Sequence, residues 1–131
     1  MASLDRTRAL IAELAKALGL PALPPDNSGG VKLTVGETTE MFLFGGDDET
    51  VLIVTPVAAL PRGVGYGLAL YLLRANMFDA DTAPFQVAAD AGGGVIFWGR
   101  LPIAELDGTM LAGLLGRVAA RVEAMRSELA G

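Results

Sequence analysis

The 131-residue chain contains no histidine and no cysteine. Histidine is the usual general base near neutral pH, and cysteine is the strongest thiol nucleophile and a soft-metal ligand. Their absence excludes serine and cysteine triads and the common zinc sites together. It also excludes disulfides, in keeping with the cytoplasm as the expected compartment. Basic residues are scarce: 10 Lys and Arg stand against 15 Asp and Glu, a net charge of −5. Phosphate backbones and anionic lipid attract the opposite sign, so neither nucleic acid nor a membrane surface is an expected partner. Long apolar runs are missing too. The most apolar helical stretch, Tyr66 to Phe78, is broken by Arg74 and falls short of the roughly 20 residues a membrane span needs. Met1-Ala2-Ser3-Leu4-Asp5-Arg6 mixes charges where a signal peptide would open on basic residues and an apolar run.

What the chain does have is apolar surface. Hydrophobic residues make up 52% of it, enough to give one domain over residues 1–131 a real core. Ser3 can cap a first helix reaching about Leu18, with Leu4, Ile11, Leu14 and Leu18 in one stripe. Gly19 and Pro21 end it, and the run Pro24 to Gly30 reads as a loop. Three strands follow at hairpin spacing: Val31–Val35, Thr39–Phe44 and Glu49–Val54, with Pro56 expected to close the last. A second helix runs from about Gly63 to Met77. Strands at Phe85–Asp90 and Val95–Leu101 come next, then a long third helix from Gly108 to Leu129, capped by Asp107. At about 1.5 Å per residue that helix is roughly 33 Å long, enough to cross a small sheet. The expected class is α+β: helix, three strands, helix, two strands, helix, around a twisted antiparallel sheet.

Two of these elements are apolar on more than one side. Met41-Phe42-Leu43-Phe44 and Val51-Leu52-Ile53-Val54 do not alternate with polar residues, so something must cover each face of the meander. In the second helix, Tyr66, Leu70, Leu73 and Met77 form one stripe, and Leu68, Leu72 and Ala75 form another on the far side. A helix apolar all round is buried all round. A domain this small has little room for a central helix, so one stripe is expected to meet a second copy. Homodimerisation through Tyr66, Leu70, Leu73 and Met77 follows.

Candidate chemistry is thin. Gly63-Val64-Gly65-Tyr66-Gly67 suggests a nucleotide loop, but the fingerprint needs a third glycine after two intervening residues and position 68 is Leu, and no Gly-Lys-Ser/Thr is present. Asp47-Asp48-Glu49 and the pair Asp79 and Asp81 could meet a hard cation, yet acids at turns commonly serve only the turn and solvent. Phe97 and Trp98 point to opposite faces, either as one core and one rim residue or as part of an aromatic platform. No catalytic residue, metal or cofactor is expected.

The ordered set of elements, with certain stretches, resembles the class I type III secretion chaperones, the CesT or Tir-chaperone family. Leu14-Ala15-Lys16-Ala17-Leu18-Gly19-Leu20 is similar to that family's first-helix ending. Leu72-Leu73-Arg74-Ala75-Asn76 resembles its "Leu-Leu-x-Ala-Asn" run, and Leu101 to Asp107 resembles the approach to its last helix. The resemblance implies a cytosolic homodimer without ATPase activity. Such a dimer binds an extended N-proximal segment of a secreted effector, keeps it export-competent and delivers it to the export apparatus, where the secretion ATPase is a further partner. It implies pairing through the second helix and a client surface on the first helix and strands. Phe42 and Phe44, the bulkier pair, are assigned to the core; Met41 and Leu43, with Leu33 nearby and Leu14 or Leu18 extending the groove, are assigned to the client. The rival readings are a regulatory or immunity-like partner with the same fold, and a small-molecule-binding enzyme subunit.

Overall fold

A computed structural model of the chain describes residues 2–21, 30–36, 38–45, 49–59, 63, 65–76, 82 and 84–130, with side chains from residue 6 onward. Helix α1 (Ala2–Ala17) leads into strands β1 (Val31–Val35), β2 (Thr39–Gly45) and β3 (Thr50–Ala59). Helix α2 (Tyr66–Arg74), strands β4 (Gln86–Ala89) and β5 (Gly94–Pro102), a 3-10 turn at Ile103–Glu105 and helix α3 (Gly108–Ala130) complete the order. The five strands form one antiparallel sheet in the order β1-β2-β3-β5-β4. This is the α+β arrangement expected from the pattern.

Local chemistry fixes the helix ends. Gly19, at φ +71°, takes the left-handed position after α1, and Leu20 N–H donates to the Ala15 carbonyl while Gly19 N–H donates to that of Lys16. Only glycine adopts that conformation without a Cβ penalty. At the start of α3, Asp107 Oδ1 accepts from the Met110 N–H at 2.8 Å, the cap the sequence predicts. Ser3, predicted as the cap of α1, instead lies inside the helix, and its side chain is outside the described residues.

Strand β3 departs from expectation by running through Pro56 to Ala59. Its pairing with β5 shifts register between Pro56 and Ala58, and Pro56 is exposed at that bulge. A residue without an N–H is tolerated where the ladder is interrupted, so proline bends this strand and does not end it. Arg126 of α3 closes the bulge: its Nε donates to the Val57 carbonyl at 2.7 Å and its NH2 to that of Pro56 at 3.0 Å.

Helices α1 and α3 pack on each other and on one face of the sheet. The core holds Leu10, Leu14, Leu111, Leu115, Val118, Val122 and Met125 from the helices. From the sheet come Leu33, Met41, Leu43, Val51, Ile53, Phe97 and Leu101. The two helices cross at Gly108, where a Cβ would meet the Glu13 backbone at 2.4 Å; hydrogen is the largest side chain that fits. Phe85 lies on Gly99 and its ring sits 5.4 Å from that of Phe97, filling the core beneath β5.

Candidate functional site

Strand register divides the sheet's side chains into two sets. Leu33 pairs with Met41, Leu43 with Ile53, Ile53 with Gly99 and Val51 with Leu101, and all of these face the helices and are buried. The alternate positions form rows across the other face. Phe42 pairs with Val54 and Val54 with Trp98; Phe44 pairs with Leu52 and Leu52 with Arg100; Ile96 lies one step further along β5. The apolar members of these rows stay partly exposed and are not packed against the core cluster.

Six apolar side chains, Phe42, Phe44, Leu52, Val54, Ile96 and Trp98, therefore make a continuous band on a face that α1 and α3 do not cover. Lys32 and Glu40 border it on β1 and β2 with an exposed ion pair at 3.4 Å, Arg100 borders it on β5, and Gln86 pairs beyond Trp98 on β4. Apolar bands with a polar rim are where soluble proteins meet other chains.

This reverses the expected assignment of faces. Met41 and Leu43 are fully buried, Leu33 and Leu14 are core residues, and Leu18 is half-buried against the core. These five are not the accessible client surface assigned to them from the sequence; Phe42 and Phe44, assigned to the core, lie on the open face. The reason lies in β1. Val31, Leu33 and Val35 alternate with Lys32 and Thr34, and the turn after Val35 sets Val35 opposite Thr39. The polar residues of β1 must face solvent, which carries Phe42 outward with its partner Lys32. Size alone gave the wrong face. Trp98, weighed as rim or platform, closes the band on β5, partly exposed beside Val54.

Helix α2 supplies the second exposed apolar surface. Leu68, Tyr71 and Leu72 are half-buried against the core and Ala75 just beyond the helix is buried, whereas Tyr66 is 83% and Leu73 67% exposed and Leu70 is half-buried. Met77, the fourth residue of the expected outer stripe, lies outside the described residues, as do Asp47, Asp48, Asp79 and Asp81. The helix ends at Arg74, three residues short of the predicted Met77.

An open depression of about 610 Å³ lies between the end of β5, the 3-10 turn and the first turns of α3, lined mainly by Leu101, Leu106, Met110 and Leu114 with Glu105 and Arg117 beside them. Among the described residues no three acidic side chains gather as a metal site, and no helix is long and apolar enough to cross a membrane.

A search of curated proteins finds no match by sequence. Solved structures are similar. A chain of the heterodimeric ExoU–SpcU complex from the type III secretion system of Pseudomonas aeruginosa aligns with a TM-score of 0.75 at 26% identity, over 92% of this chain and 97% of that one. The complex of the Yersinia pestis type III secretion chaperone SycH with a YscM2 fragment gives 0.75 at 22% identity, over 91% and 99%. The HopA1–SchA chaperone–effector complex gives 0.78 at 14% identity, over 95% and 96%. The last two show a shared fold. A family profile matches residues 9–126, nearly the whole chain, and on that match the chain belongs to the Tir chaperone protein (CesT) family.

Proposed function

We propose that the protein is a cytoplasmic secretion chaperone that holds an extended segment of a secreted effector and keeps it competent for export by the type III apparatus. The observation that carries this reading is the band Phe42, Phe44, Leu52, Val54, Ile96 and Trp98, set in register on a sheet face that α1 and α3 leave open. A disordered client gives up conformational entropy on binding, so the surface must offer several apolar anchors together. Each large side chain fully buried contributes roughly 1.5–3 kcal/mol, and several partly exposed ones in a row meet that need. No catalytic activity, metal or cofactor enters the reading.

The same reading gives α2 to a second copy of the chain. Tyr66, Leu70 and Leu73 form the outer stripe, and leaving all three in water would waste apolar area that a symmetric pairing covers. Family membership and the neighbours described as chaperones in complex with their partners support the first part.

Trp98 is the only tryptophan in the chain and sits in the band, so it reports occupancy directly. The test is co-purification of the client from the cell that makes the protein, followed by fluorescence of the isolated complex. Client binding should blue-shift the Trp98 emission and shield it from acrylamide, and Phe42→Glu with Val54→Glu should abolish capture while the chain stays folded, with a melting point lowered by several degrees. A captured effector that leaves Trp98 as quenchable as in the free protein would remove the open face from the binding site.

A further inference from the structure

Strand β4 closes the sheet order on one side, so alternate residues along it turn a backbone N–H and C=O away from β5, with no further strand beside them among the described residues. An edge of that kind recruits other strands unless something occupies it. Here it is occupied. The Asn76 side-chain amide donates from Nδ2 to the Val87 carbonyl at 3.3 Å, and the Val87 N–H donates back to Asn76 Oδ1. Two residues earlier on the same edge, at Phe85, the N–H donates to the Thr82 carbonyl at 2.9 Å.

A primary amide carries one acceptor and a donor group side by side, as two backbone groups of an adjacent strand would. Serine cannot span both partners, and an aspartate has no proton to give the carbonyl. At its other end Asn76 is tied to α2: its backbone N–H donates to the Leu73 carbonyl, and Ala75 N–H to those of Tyr71 and Leu72. No residue between Tyr66 and Arg74 is fully buried, and Leu68, Tyr71 and Leu72 rest half-buried on the core.

We propose that Asn76 is a positioning residue: a one-residue substitute for a sixth strand that fastens α2 to the edge of β4. It fixes the direction in which Tyr66, Leu70 and Leu73 face and closes that edge to further strand pairing. The proposal rests on the reading of α2 as the surface that meets a second copy.

Hydrogen exchange at the Val87 amide tests it, first in a Leu73→Arg background so that self-association gives no protection. Asn76→Ala should speed Val87 exchange about tenfold, the equivalent of about 1.4 kcal/mol, while amides of β3 and β5 keep their rates. Asn76→Asp retains an acceptor and should keep the Val87 N–H protected. In the otherwise wild-type chain, Asn76→Ala should weaken self-association about tenfold by sedimentation velocity. Unchanged Val87 exchange in Asn76→Ala overturns the proposal, as does acceleration spread equally over β3 and β5, or intact self-association despite faster Val87 exchange. If Leu73→Arg itself leaves the assembly unaltered, the dimer reading is what fails, and Val87 exchange still decides whether Asn76 fastens the edge.

Discussion

Leu43 and Phe42 are neighbours in β2, and truncating each to alanine should have opposite consequences. Leu43 is fully buried between β1 and β3 under the helices. Leu43→Ala removes a core side chain and leaves a cavity, a loss of about 2–5 kcal/mol. Domains of this kind are stable by about 5–15 kcal/mol in all. At roughly 3–5 °C per kcal/mol for a chain of this size, the melting point should fall by about 10–20 °C. Phe42 is only partly covered, so Phe42→Ala forfeits about 1 kcal/mol of burial and lowers the melting point by a few degrees. Urea titration read by far-ultraviolet circular dichroism measures both, with the midpoint compared at equal slope. Binding reverses the order: Phe42→Ala should lose client affinity while the folded fraction of Leu43→Ala should keep it. If Phe42→Ala proves as unstable as Leu43→Ala, Phe42 is covered in the free protein, and the open-face argument fails.

Four further outcomes are expected. Leu73→Arg should give a monomer by multi-angle light scattering at micromolar concentration; an unchanged mass would take α2 out of the interface. Gly108→Ala should destabilise by about 1–3 kcal/mol, because the new methyl meets the Glu13 backbone and no side chain can rotate away, and thermal melting reads this. Arg126→Met should cost about 1–3 kcal/mol, since it strips a charged donor group from the Val57 and Pro56 carbonyls, and a melting point equal to wild type would show those carbonyls to be satisfied by water. Chelator should leave the melting point unaltered, and a drop would reveal a metal site.

Most of the architecture is legible in the residues. The 3.6-residue stripes of α1 and α3 and the clean alternation of β1 place those elements and the faces they bury. The three-residue turn after Val35 sets the first hairpin. What the pattern hides is the choice of face in β2 and β3. Both sides of Met41–Phe44 and Val51–Val54 are apolar, and a period of two then says nothing about which side is inside. The information sat one strand away, in Lys32 and Thr34, and required pairing the strands before choosing. The length of β3 was hidden by Pro56, whose missing N–H ends most strands but here falls on a bulge held by Arg126 from 70 residues away. Asn76 was legible as part of a family-like run, while its bonds to Val87 depend on a fold that brings residues 11 apart to one edge.

The two-faced sheet also separates two histories that most proteins must share. Adjacent positions along β2, β3 and β5 answer to different demands: one set is held to shape by the helices beneath it, the other lies on the face that α1 and α3 leave open. A lineage can therefore exchange Phe42, Val54 or Trp98 for other side chains as its client drifts, without first finding compensating changes in the core. On the proposed reading, a new client comes within reach by single changes on the open face that leave the helix-packed set in place.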